Sequence, residues 1–188
     1  MLPMDNPVMS IEPTDSGGDN LEGEVMVERI KWCVKRISLG FDRWDDPHAR
    51  GPGLYFVVER DSAAACAEPM GANRWLVENC PDIFSSLDAL SETAEKIAFT
   101  CDGAVIINND GTIEEEMVRI RQLSTAEREQ NDSVPYAEWM GARHMSALEN
   151  STRAEILAAI TLSEEDGRMT VFTDGTFTDY PRDELVKE

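Results

Sequence analysis

The run Ile156-Leu157-Ala158-Ala159-Ile160-Thr161-Leu162 constrains this chain more than any other stretch. It carries no charge, it lies between Glu155 and Ser163-Glu164-Glu165, and it is too short to cross a bilayer as a helix. An uninterrupted apolar run of this length predicts a central strand with both faces covered. Leu54-Tyr55-Phe56-Val57-Val58 is a second such run, β-branched and aromatic between turn formers, and predicts another strand. Asp102-Gly103-Ala104 opens a third, with Val105-Ile106-Ile107 reading as a buried strand over Ala104 to Asn108.

Strands buried on both faces need a covering layer, and the helical periodicities supply it. From Glu24 to Ser38, Val27, Ile30, Val34 and Ile37 fall on one face, predicting a helix over the sheet with Lys31, Lys35 and Arg36 on its solvated side. A second helix is expected from Asp82 or Ser85 to Phe99. It would turn Phe84, Leu87, Leu90, Ala94 and Ile97 inward and use Ser85 or Ser86 as its cap. A third is expected from Met145 to Glu155. Asn109-Asp110-Gly111 is a strong turn signal into a return strand near Thr112 to Glu114, and Val118, Ile120 and Leu123 alternate with Arg119 and Arg121 as a strand would. Glu165-Asp166-Gly167 turns into Met169 to Phe172, and Asp174-Gly175 into Thr176-Phe177. Gly40 to Gly53, including Asp45-Asp46-Pro47-His48, reads as loop. Asp61 to Pro81 reads as irregular around a short strand at Asn73 to Val77.

These elements predict a single α/β domain whose central, mixed and largely antiparallel sheet is flanked by helices. Its expected bounds are residues 24–180. Residues 1–23, rich in Pro, Asp, Ser and Gly, read as a disordered acidic tail, and 181–188 as a C-terminal tail. With 188 residues and 41% hydrophobic content, the chain is sized for one core.

The charge excludes several classes of function. Thirty-seven acidic residues against seventeen basic ones give a formal charge of −20, so there is no basic cluster to track nucleic-acid phosphates or an anionic membrane. The excess is dispersed and lysines are few, as on a protein working in molar salt, where screening removes self-repulsion; an ordinary acidic surface is the alternative. Cys33, Cys66, Cys80 and Cys101 include no Cys-x-x-Cys and have two histidines to join them, which argues against structural zinc. Without a signal peptide or long apolar segment, the expected location is cytoplasmic, with reduced thiols.

Three short segments hold the chemistry: Asp102-Gly103-Ala104, Gly141-Ala142-Arg143-His144 and Ser163-Glu164-Glu165. A carboxylate at a strand edge and a basic pair where a loop becomes a helix suit a metal-bound polyphosphate. Taken singly, each has a plainer reading. Asp102 is also an ordinary turn residue, Glu164-Glu165-Asp166-Gly167 an ordinary polar turn, and Arg143-His144 a surface pair, although cations sit poorly at a helix N-terminus unless an anion is bound.

In this order, and with Gly53 to Val58 ahead of them, the segments resemble the diadenylate cyclase (DAC) domain, the nucleotide-binding domain of DisA-like proteins, over roughly Ile30 to Phe177. The acidic excess points to a haloarchaeal member. The resemblance implies condensation of two ATP into cyclic di-AMP with release of two pyrophosphates. The reaction would run across two facing protomers with Mn²⁺ or Mg²⁺, while the acidic charge, read above, leaves no nucleic acid and no membrane as partner. It implies that Asp102 holds the metal and activates a 3′-hydroxyl, with Glu164 or Glu165 near that metal. Gly103 and Ala104 would line the nucleotide together with Gly141 and Ala142. Arg143 and His144 would bind phosphates, and Ser163 would contact one. The chemistry is physically coherent, since attack of a 3′-oxygen on an α-phosphorus needs charge neutralisation, donors on the leaving group and a carboxylate on the hydroxyl.

Two positions depart from the family pattern. Met145 stands where a second arginine is usual and Ala142 where threonine is common. Arg153, or Arg119 and Arg121, are the basic residues placed to compensate. The alternatives to the cyclase are a catalytically weakened module that binds or senses ATP or cyclic di-AMP, and an acidic interaction protein with no nucleotide site.

Overall fold

The Ile156–Leu162 run (β5) forms the middle strand of a five-stranded sheet. The structure is a computed structural model that describes residues 18–61, 66–130 and 134–186. Ahead of β5 come α1 (Gly18–Gly40), β1 (Leu54–Glu59), β2 (Ala67–Arg74), α2 (Leu87–Thr100), β3 (Val105–Ile107), β4 (Glu116–Ile120), α3 (Thr125–Gln130) and α4 (Ala142–Asn150). After it come β6 (Met169–Thr173), β7 (Thr176–Tyr180) and α5 (Arg182–Leu185). The sheet order is β3-β1-β5-β6-β7, and only β3 and β1 are parallel. β2 and β4 make a separate antiparallel ribbon. This is the mixed, largely antiparallel sheet flanked by helices that the apolar runs require.

Strand alternation sorts the side chains into two cores. Phe56, Val58, Ala158, Ile160 and Leu162 face α1 and α2, meeting Ile30, Val34, Leu90, Ala94 and Ile97. Tyr55, Val57, Ala159 and Phe172 face the other way, against Ala147 and Leu148 of α4 and Val118 and Ile120 of β4. The site lies on this second side, where the strand ends, the β4 ribbon and the start of α4 converge.

Several boundaries differ from expectation, each for a local reason. Helix α1 opens at Gly18 rather than Glu24 and buries Met26 and Cys33 beside Ile30, while Val27 is only half-buried; residues 1–17 of the expected tail lie outside the described residues. Ser86 caps α2 by accepting from the Ala89 N–H, so Phe84 precedes the helix and stands exposed rather than inward. The irregular stretch holds β2, displaced toward Ala67 from Asn73–Val77, with a break in register between Pro69 and Arg74. The return after Gly111, a residue with φ of +87°, pairs Ile107 with Ile113 through a single bridge, and the strand proper begins at Glu116. Helix α4 starts at Ala142 and ends at Asn150, placing Arg143 and His144 in its first turn. Helices α3 and α5 were not expected.

Candidate functional site

The first wall of the site is made where α2 ends. The Cys101 N–H closes the helix on the Ile97 carbonyl, and the chain then turns through Asp102 and Gly103 into β3. Ala104 and Val118 exchange both backbone hydrogen bonds, at 2.6 and 2.9 Å, stitching this turn to β4. Gly103 sits at φ of +106°, and a Cβ there would meet the Val118 carbonyl at 3.0 Å and Met70 at 3.1 Å, so the turn demands glycine. Asp102 stays exposed, its carboxylate accepting from the Gly103 N–H at 3.1 Å while its carbonyl accepts from Asn73 at 2.8 Å.

The second wall is the start of α4. Gly141 is its N-cap and offers no side-chain acceptor, so the first-turn N–H groups lack a side-chain cap beside the cavity. His144 is buried edge-on against Trp139, with ring centroids 5.2 Å apart, and its Nε2 has no hydrogen-bond partner among the described residues. Burial, followed by the neighbouring Arg143 charge, holds its imidazole below the ordinary histidine range, which favours the neutral form. A buried orphan nitrogen of this kind is costly unless something binds it.

The third wall is the β5–β6 turn. Ser163 pairs with Arg168 along the backbone, and Gly167, at φ of +72°, donates to the Ser163 carbonyl at 3.1 Å. The Ser163 hydroxyl accepts from the Glu165 N–H at 3.3 Å. Burial pushes the Asp166 carboxyl upward, but the Ser163 hydroxyl together with the Arg168 N–H and guanidinium hold it below its usual range. Arg168 also bridges to Asp179 and lies over the Trp139 ring at 4.5 Å.

These walls enclose a cavity of about 810 Å³. All ten positions singled out in the sequence line it: Asp102, Gly103, Ala104, Gly141, Ala142, Arg143, His144, Ser163, Glu164 and Glu165. Arg143 is central, since its Nη2 lies 3.4 Å from Asp102 Oδ1 and 3.9 Å from Glu164 Oε2. Among the described residues no group of three or more His, Cys, Asp or Glu is arranged to hold a metal. Asp102 and Glu164, both within 4 Å of one guanidinium nitrogen, are the carboxylates that would hold a hard divalent cation, with its remaining oxygens supplied by a phosphate ligand and water.

Met145 points outward and is 40% exposed. Of the arginines placed to compensate, Arg153 is committed to Glu127 and the Arg121 carbonyl, and Arg121 leans toward Glu68. Arg119 lines the cavity but is paired with Glu68 at 2.8 Å. Sequence reasoning missed Trp139, Arg168, Tyr55 and Ser146 on the cavity wall, and Trp44, Arg50, Gly51 and Gly53 behind Glu164. Gly51-Pro52-Gly53 ahead of a buried strand was the signal for the two glycines alone, because small residues mark a close approach of backbone.

Residues 50–177 match the DAC family, described as the DisA bacterial checkpoint controller nucleotide-binding domain. No curated protein matches the chain. Among solved structures, it resembles a double mutant of DacA from Staphylococcus aureus at 17% identity and a TM-score of 0.52, covering 89% of this chain and 94% of that one. It also resembles a hypothetical membrane-spanning protein from Bacillus cereus at 19% identity and a TM-score of 0.53, covering 81% of this chain and 62% of that one. At these identities the likeness is one of fold. No helix among the described residues is long and apolar enough to cross a membrane.

Proposed function

The chain belongs to the DAC family of DisA-type nucleotide-binding domains, and we propose that it is a diadenylate cyclase, condensing two ATP into cyclic di-AMP and two pyrophosphates across a pair of facing protomers. The observation that carries this reading is the convergence of Asp102, Arg143, His144 and Ser163 on one cavity large enough for a nucleotide. The same convergence speaks against an interaction protein without a nucleotide site.

In this reading each residue has a task set by its surroundings. Arg143 takes phosphate oxygens through paired hydrogen bonds, exchanging its long contacts to Asp102 and Glu164 for short ones to the ligand. The uncapped N–H groups at the start of α4 and the orphan Nε2 of His144 give further donors to the leaving pyrophosphate, with His144 taking up a proton as the anion arrives. Gly103 lets the nucleotide approach the backbone, Ser163 contacts a phosphate, and the exposed Asp102 carboxylate polarises the attacking 3′-hydroxyl. Asp102 with Glu164 or Glu165 would hold Mn²⁺ or Mg²⁺, which supplies charge neutralisation at the phosphates. Because each protomer contributes one reactant, orientation across the dimer is the main source of rate. The acidic excess we read as adaptation to molar salt, as in a haloarchaeal cytoplasm.

The outward Met145 favours a second reading, a module that keeps the nucleotide site but turns over slowly or only senses ATP or cyclic di-AMP. The test is incubation of the protein with ATP and Mn²⁺ in molar KCl, followed by chromatography for cyclic di-AMP. Product that is lost in Asp102→Asn supports the cyclase. Tight nucleotide binding without product supports the sensor, and neither binding nor product from folded protein rejects both.

A further inference from the structure

Every guanidinium on the cavity wall has a carboxylate beside it, so a polyphosphate must compete for its cations. Arg119 is held by Glu68 and Arg168 by Asp166 and Asp179 at short range. Arg143 differs, because its two carboxylate neighbours stand off at 3.4 and 3.9 Å. For Glu164 a competing cation lies behind the cavity. Glu164 Oε2 is engaged instead by Arg50, whose Nε and Nη2 both reach it, at 3.1 and 2.9 Å.

The backbone around Arg50 is built to keep it there. The Gly51 N–H donates to the Glu164 carbonyl at 3.2 Å. A Cβ on Gly51 would lie 2.6 Å from that carbonyl and 2.3 Å from the Trp44 ring. Trp44 is itself fixed by a 3.0 Å bond from its indole N–H to the Ser38 carbonyl. A Cβ on Gly53 would lie 2.6 Å from Arg143 Nη1 and 3.0 Å from Glu164 Oε2. Loop 41–53 thus brings Arg50, Glu164 and Arg143 against one strip of bare backbone.

We propose that Arg50 is a positioning residue for polyphosphate binding: by holding Glu164 it keeps that carboxylate off Arg143 and leaves the Arg143 guanidinium able to take a phosphate. Without Arg50, the Glu164 carboxylate closes on Arg143 as its nearest remaining cation, and a ligand must displace a tight ion pair. The inference rests on the nucleotide-binding reading above and adds to it a residue outside the cavity wall.

The test is a binding cycle in chelator, using ATP without metal at fixed high salt, on the wild type, Arg50→Gln, Glu164→Gln and the double variant. Acting through Glu164, Arg50→Gln weakens ATP about two- to fivefold in the wild-type background and by less than about 1.5-fold in the Glu164→Gln background. Arg50→Lys restores most of the loss, since both Arg50 nitrogens meet a single oxygen and one ammonium can replace them. Equal losses in both backgrounds overturn the proposal, because they mean that Arg50 acts on the ligand directly, and they leave the nucleotide reading standing. Absence of ATP binding by folded wild type overturns the nucleotide reading and the proposal with it.

Discussion

Gly53→Ala separates the site from the fold more cleanly than any other single change. Gly53 is buried and lies outside the left-handed region, so alanine fits its backbone. Restricting the unfolded chain then stabilises by about 0.4–1 kcal/mol. The new Cβ, however, meets Arg143 Nη1 at 2.6 Å, where ordinary contact begins at 3.4 Å, so the guanidinium must retreat by about 0.8 Å. The flexible end of an arginine does this at a cost below about 1 kcal/mol for its half-exposed ion pairs. Net stability should stay within about 1 kcal/mol and the melting temperature within about 4 °C. Ligand binding should suffer far more, because misaligning a charged donor forfeits about 1.5–3 kcal/mol, or about ten- to a hundredfold in affinity. Gly103→Ala is the contrast. Its φ of +106° and the Val118 carbonyl at 3.0 Å impose about 1–3 kcal/mol of strain, lowering the melting temperature by about 2–12 °C. Thermal melts and calorimetric titration with an ATP analogue read both variants. Wild-type binding by Gly53→Ala, or a melt as low as that of Gly103→Ala, would refute the assignment of Gly53 to the site.

Leu148→Ala should remove about 2–5 kcal/mol, since Leu148 is fully buried between α4 and the sheet, and denaturant unfolding should show the loss. His144, faced by Arg143, Asp166, Arg168 and Asp179, has its pKa lowered in the unbound protein, first by burial and then by Arg143. A phosphate at Nε2 raises it, so binding takes up a proton and affinity should rise as pH falls from about 8 to 6. Titrations of His144→Gln should lack that component of the slope. In the unbound protein the sign is opposite for stability: the unfolded state protonates first, so stability falls as pH drops below about 6.5 toward the folded pKa. If the acidic excess is salt adaptation, the unfolding midpoint should climb steadily with KCl into the molar range, and a flat response rejects that reading.

What the sequence made legible follows from what each signal measures. Apolar runs report burial on both faces, and Ile156–Leu162 and Leu54–Val58 stand next to each other at the middle of the sheet. Helical periodicity reports one buried face, and α1 and α2 lie over that sheet with Ile30, Val34, Leu90 and Ala94 inward. The strand expected at Asn73 to Val77 falls late of β2, because Glu68, Pro69 and Gly71 lack strand propensity; pairing with β4 and not intrinsic preference makes that stretch extended. Helix α4 was placed late because no residue before Ala142 carries a capping side chain, so its start had no local signal. Asp102, Arg143 and Ser163 could be picked out because charged and hydroxyl residues flanked apolar runs. Arg50 and Trp44 could not, since their part depends on a loop folding across to residues more than a hundred positions away.

A crystal structure of the protein with a non-hydrolysable ATP analogue and Mn²⁺ would test the nucleotide site directly. The triphosphate should lie between the start of α4 and the Ser163–Asp166 turn. Arg143 should be moved from Asp102 and Glu164 onto phosphate oxygens, with His144 Nε2 within hydrogen-bond reach of the ligand. A nucleotide bound elsewhere, or one seated in the cavity while Arg143 keeps its contacts to both carboxylates, would contradict that placement.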